Sequence, residues 1–182
     1  MPEGALETFV KAVGAAVRSG RGGAALVAEV ESNMRALVRE RTWLEARYRR
    51  PIPGRPYAQY LLHLPEDGAF SVASFVWSPG EGSPVHDHGT WGVIGQYEGE
   101  EEETRYDRAT LREAGRVVFR PGDVSHVLPP DREVHRIRNL GSAPAVSVHV
   151  YGGDIGRQPR HTFDPATGAA RPFVSGYDAP QA

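Results

Sequence analysis

Ala145-Val146-Ser147-Val148-His149-Val150-Tyr151 decides the fold class of this chain. Valine recurs at every second position, with Ser147, His149 and Tyr151 in register between. Successive side chains of an extended strand point to opposite faces, so the run carries one face of valines and one of polar groups. A helical period would scatter both sets around an axis. The polar row either lines the interior of a small barrel or forms the wet face of an antiparallel strand, and alternation by itself allows both. In either case the three polar groups stand side by side, where a hydroxyl, an imidazole and a phenol can share hydrogen bonds.

Outward from this run, the same period marks residues 57–64, 70–77, 93–97, 117–120 and 135–138. Turn clusters separate them, among them Ser78-Pro79-Gly80-Glu81-Gly82-Ser83-Pro84, Pro121-Gly122-Asp123 and Asn139-Leu140-Gly141-Ser142. Short strands at regular spacing without intervening helices predict a mainly β unit, a sandwich or small barrel, over residues 51–174. Upstream the period becomes helical. Leu6, Phe9, Val10, Val13 and Val17 form one apolar stripe, and Val27, Val30, Met34, Leu37 and Val38 a second. Thr42 with Glu45 reads as a capping box opening a third, short helix. Pro51, Pro53 and Pro56 then forbid helix, so residues 1–50 are expected as an α-helical segment packed on the β unit. The acidic run Glu98-Gly99-Glu100-Glu101-Glu102-Glu103 reads as a solvated hairpin, and 175–182 as a loose tail.

Composition narrows the chemistry. The 182 residues carry a formal charge of −2, too little basic surplus for a general nucleic-acid or acidic-membrane binder. There is no cysteine, which excludes disulfides, thiolate zinc sites, iron–sulfur clusters and a cysteine nucleophile, whereas histidine occurs seven times. No apolar run approaches the roughly 20 residues that span a bilayer, and no signal peptide is visible, so a cytoplasmic location is expected.

The densest histidine signal is His86-Asp87-His88. On a strand the two imidazoles share a face and can converge on one ion while Asp87 points away. With Pro121-Gly122-Asp123 and a lone His135 downstream, the pattern resembles the cupin superfamily, which implies a β-barrel or jelly roll and His135 as a third ligand. The cupin carboxylate expected four or five residues after His88 is replaced by Gly92 and Val93. Three neutral imidazoles leave a divalent charge uncompensated, which favours an anionic substrate that chelates the metal.

Together with Ser147-Val148-His149-Val150-Tyr151, these motifs resemble the thiol dioxygenases, the cysteine dioxygenase branch of the cupins. The resemblance runs from about Tyr57 to Asp164. It implies Fe(II) on His86, His88 and His135, a catalytic row of Tyr151, His149 and Ser147, and addition of both atoms of O2 to a substrate thiol. The partners it implies are a small thiol carboxylate and O2. Two positions depart from the mammalian enzymes: Gly92 stands where they carry a cross-linked cysteine, and Gln59 where they carry a carboxylate-binding arginine. Bacterial 3-mercaptopropionate dioxygenases share both, and bind the carboxylate with an arginine that matches Arg160 here. By that resemblance Arg160 and Gln59 are expected to bind substrate, with Arg157 as the rival arginine, while Trp91 is expected to wall the cavity. His126 could line the pocket or sit at its rim. The alternatives are a cysteine or other mercapto-acid dioxygenase, and a metal-binding cupin without turnover.

Overall fold

The computed structural model describes residues 4–180. Two helices come first, α1 (Ala5–Arg18) and α2 (Gly23–Arg39), and eleven strands follow. These are β1 (Tyr57–His63), β2 (Phe70–Trp77), β3 (Val85–His86), β4 (Gly92–Glu98), β5 (Glu101–Tyr106), β6 (Glu113–Phe119), β7 (Val124–Val127), β8 (His135–Asn139), β9 (Ala145–Gly152), β10 (Arg160–Phe163) and β11 (Ala170–Phe173). They form two antiparallel sheets, ordered β1-β2-β9-β4-β7 and β11-β10-β3-β8-β5-β6. The architecture is therefore a two-sheet jelly roll and not a closed barrel.

The helices explain why β2 and β9 are covered on both faces. Val146, Val148 and Val150 share a buried cluster with Val13, Val27, Val30, Met34 and Val38 from α1 and α2. Each such side chain removed from water stabilises the fold by about 1.5–3 kcal/mol. Ala73, Phe75, Trp77, Ile94 and Tyr151 point the other way and meet Ile137 of the second sheet. The valine face of the deciding strand thus belongs to the helices. Its polar face is turned inward between the sheets.

Three expectations need correction. The capping box does not form: Thr42 Oγ1 donates to Glu40, and only a 3₁₀ turn, Ala46–Arg49, follows. Leu44 is buried in the core and Trp43 Nε1 donates to the Leu37 carbonyl, so tertiary contacts claim these residues before a helix can start. The acidic run is not a solvated hairpin. The chain crosses at Gly99 from one sheet to the other, and Glu101 and Glu103 on β5 are only 1% and 2% exposed. Finally, the C-terminal stretch is anchored through Asp178. Gln59 and Asp178 exchange backbone and carboxylate hydrogen bonds of 2.8 and 2.9 Å, and Asp178 also pairs with Arg55. Gln181 and Ala182 lie outside the described residues.

Candidate active site

His86 and His135 face each other across the β3–β8 ladder, and His88 follows just beyond the end of β3. All three are buried, and one ligand nitrogen from each lies within 4.8 Å of the others. Each Nδ1 is already engaged. His86 donates to the Pro84 carbonyl at 3.0 Å, His88 to the Glu133 carbonyl at 3.1 Å, and His135 to Glu103 Oε1 at 2.7 Å. These bonds select the tautomer that leaves every Nε2 with a free lone pair. The Nε2 of His88 is buried with no partner among the described residues, which costs free energy unless something else binds it. Burial first, and then the neighbouring histidines, hold His86 and His88 well below the usual histidine pKa, so both are neutral. A divalent metal that accepts imidazole fits this donor set, and the site can hold one.

The supporting shell is as ordered as the triangle. Burial works against the charge on Glu103, but its bond to His135 and the nearby Arg105 outweigh that and bring its carboxyl down to about 2. Asp87 does point away, as the strand geometry requires. It accepts from the His161 backbone at 2.7 Å and pairs with Arg108 at 3.3 Å; Arg108 also reaches Glu133 at 2.8 Å. Glu133 in turn accepts from the Gly89 backbone. This network pins the loop that carries His88.

Across the cleft, β9 presents its polar row. Tyr151 Oη lies 2.8 Å from His149 Nδ1, and His149 Nε2 lies 2.8 Å from Ser147 Oγ. The Tyr151 ring stacks on His88, with 5.4 Å between centroids. Burial pushes the Tyr151 phenol well above its ordinary pKa and holds His149 well below its own. Both are neutral at physiological pH. The row does not end at Ser147, whose hydroxyl also lies 3.1 Å from Glu101 Oε2.

Beside His86 opens a cavity of about 170 Å³, with Tyr57, Gln59, Phe75, Arg160 and Phe173 among its walls. Gln59 is buried, and neither its amide nitrogen nor its oxygen has a partner among the described residues. Arg160 is 4% exposed; its Nη2 donates to Ser175 Oγ at 2.6 Å, its Nε has no partner, and its guanidinium lies over Phe173. Burial lowers its pKa, yet a guanidinium stays protonated in proteins. Among the described residues no carboxylate forms an ion pair with it. A buried guanidinium without an ion-pair partner can receive an anion.

The sequence expectations divide accordingly. His86, His88 and His135 come together, Ser147, His149 and Tyr151 form one row, and Arg160 and Gln59 line one cavity. Arg157 is 90% exposed on its side chain and pairs with Asp154, so the rival arginine is outside the cavity. Trp91 does not wall it either: its indole lies against Gly152 and packs on the helix-side core. His126 pairs with Glu31 at 2.8 Å, tying β7 to α2. Glu101 and Glu103 escaped the sequence reading because acids fill both faces of that run. The signal available was their spacing of two, which puts both on one face.

Residues 55–160, more than half of the chain, match the cysteine dioxygenase type I family. Among solved structures, the chain is similar to a Klebsiella pneumoniae protein with a double-stranded β-helix domain, at 17% identity over 71% of this chain and 95% of that one, with a TM-score of 0.49. A Thermus thermophilus protein aligns at 20% identity over 59% and 91%, with a TM-score of 0.47. An oxalate oxidase aligns at 18% identity over 55% of this chain and 52% of its own, with a TM-score of 0.46, so this chain spans about half its length. With the jelly roll, the histidine triangle and the Ser-His-Tyr row in place, the match over residues 55–160 makes this chain a member of the cysteine dioxygenase type I family, a thiol dioxygenase-like cupin.

Proposed function

We propose that the protein is an Fe(II)-dependent thiol dioxygenase that converts a small thiol carboxylate, 3-mercaptopropionate first among them, into its sulfinate. One observation carries the reading: Arg160, buried and without a carboxylate partner among the described residues, shares a cavity wall with His86. A carboxylate on Arg160 sets the other end of a short substrate beside the histidine triangle. In this reading His86, His88 and His135 are the ligands. Fe(II) held there supplies thiol acidification and a common site for sulfur and O2.

The remaining roles belong to the chain itself. Arg160 and the unpartnered Gln59 amide receive the carboxylate, and Ser175 holds the guanidinium in place. Phe75, Tyr57 and Phe173 keep water from the reacting atoms. Tyr151, backed by His149 and Ser147, donates a hydrogen bond to the carboxylate or to oxygen during the reaction. 3-Mercaptopropionate suits these walls because it has no ammonium group. The residues at Gly92, Gln59 and Arg160, which resemble the bacterial 3-mercaptopropionate enzymes, support the same choice.

The test is O2 uptake by anaerobically Fe(II)-loaded protein with 3-mercaptopropionate, L-cysteine and mercaptosuccinate, with products identified by mass. Uptake matched by sulfinate, highest in kcat/KM for 3-mercaptopropionate, is the expected result. A preference for L-cysteine overturns the substrate, and no uptake above background with any thiol overturns the enzyme. Loss of the buried charge partner in Arg160→Ala is expected to raise KM by roughly 30-fold or more, with a smaller change in kcat. His135→Ala is expected to lose bound iron and activity together; full activity in an iron-free variant excludes the ligand assignment.

A further inference from the structure

We propose that Glu101 is a positioning residue that, through Ser147 and His149, sets the direction in which Tyr151 points its hydroxyl proton. The inference rests on the dioxygenase reading for its consequence, but its geometry stands alone. Glu101 belongs to β5, in the sheet opposite the polar row, and reaches across to Ser147 Oγ. Its other oxygen, Oε1, accepts from Gln96 Nε2 at 3.1 Å. Any proton on Glu101 therefore sits on Oε2, facing Ser147.

Among the described residues nothing charged compensates this acid. It faces Gln96 from β4 and Ser147 from β9, with Trp77 of β2 close by, while Phe119 of β6 and Asn139 of β8 are its ladder partners. The Asn139 amide is committed to the carbonyls of Trp77, Ser78 and Ala143. The nearest titratable groups are His149 and Tyr151 behind Ser147, and Glu103 two residues along the strand, which is paired with His135 and Arg105. Burial raises the Glu101 carboxyl to about 8 against the pull of Gln96, Ser147 and the nearby Trp77 N–H.

Proton counting then gives two states. Trp77 Nε1 is only a donor and occupies one lone pair of Ser147 at 3.4 Å. When Glu101 is protonated it donates to Ser147, Ser147 donates to His149 Nε2, and His149 Nδ1–H donates to the Tyr151 oxygen. The Tyr151 proton is then free to point toward the substrate. When Glu101 is ionised every bond reverses: Ser147 donates to Glu101, His149 Nε2–H to Ser147, and Tyr151 to His149 Nδ1. The phenol then faces the cavity with lone pairs only. Below about pH 8 the protonated state keeps Tyr151 a donor.

Nitrogen-15 NMR of the zinc-loaded protein, which is diamagnetic, reads the His149 tautomer directly. In the wild type it is expected to change from Nδ1–H to Nε2–H as pH rises from 7 to 9, and in Glu101→Gln to stay Nδ1–H. The glutamine amide donates to Ser147 at any pH while its oxygen still accepts from Gln96. With Fe(II) and 3-mercaptopropionate, the wild-type kcat is expected to fall along an alkaline limb near pH 8 that moves by more than one unit in Glu101→Gln. Glu101→Leu, which removes the acceptor that turns the Ser147 hydroxyl away from His149, is likewise expected to keep His149 Nδ1–H at pH 9. A wild-type His149 tautomer that does not change over this range, or an identical alkaline limb in Glu101→Gln, overturns the inference. If no thiol supports O2 uptake, the dioxygenase reading fails, and the tautomer titration still decides the role of Glu101.

Discussion

At Gly92 the β4 backbone meets the ring of Tyr151, its partner in the β4–β9 ladder. A Cβ there would stand 2.5 Å from Tyr151 Cδ1 and 2.6 Å from Cε1, closer than packed carbons come. The glycine is thus a packing requirement for the position of the phenol. Gly92→Ala is expected to push the ring off His88 and lower kcat about tenfold, at a stability cost of about 1–3 kcal/mol. Kinetics and thermal unfolding of that one variant separate the two effects. A variant with wild-type kcat and Tm shows that the ring yields freely. The same scale shows what was legible in single residues. His86 and His88 declare themselves through spacing, whereas Glu101 and Glu103 are hidden among identical neighbours until the strand is paired.

Among elements, α2 and the C-terminal stretch both brace the site. A Cβ on Gly95 would meet Val38 and Met34 at 2.6 and 2.7 Å, so α2 lies directly on the β4 backbone. Gly95→Ala is expected to lower stability by about 1–3 kcal/mol while leaving bound metal per folded protein unchanged, measured by denaturation and metal analysis. The residues after Val174 brace the Arg160 side of the cavity: Ser175 holds Arg160, Tyr177 Oη donates to Asp154 at 2.7 Å, and Asp178 brackets Gln59. Deleting residues 175–182 is expected to raise KM for 3-mercaptopropionate by tenfold or more while iron content stays near stoichiometric. Iron loss in the truncated protein shows instead that the stretch supports the whole fold. Composition hid this stretch, because small and polar residues signal nothing until the partners they bind are in place.

For the molecule as a whole, burying titratable groups makes stability depend on pH. Burial holds His149 well below the ordinary histidine value of 6.5, so the unfolded chain binds a proton there that the folded chain refuses. Stability then rises with pH up to that value and is lost as pH falls below it, by at most about 1.4 kcal/mol per pH unit for each such histidine. Glu101 acts over a different window. Its carboxyl, raised to about 8 from 4.5, favours the folded state below 4.5, and the advantage fades between 4.5 and 8. The metal-free protein is expected to lose Tm as pH drops from 7 to 5, less steeply in His149→Gln. A slope unchanged by that substitution shows that His149 does not carry the effect.

What the sequence determined by itself follows from local rules: period two over Ala145–Tyr151, helical stripes before the prolines, and a histidine pair two residues apart. Each depends only on how a backbone alternates or turns, so it can be read without knowing what lies opposite. The tertiary structure decided which side of each element faces what. Helices cover the valine face of β9, so the Ser-His-Tyr row looks inward. Chain crossing at Gly99 buries two glutamates, one behind His135 and one behind Ser147. The loop after β9 exposes Arg157, whereas β10 buries Arg160, although both are arginines three residues apart. Long-range pairing sets these outcomes, because the free energy of a buried charge depends on partners far away in the chain.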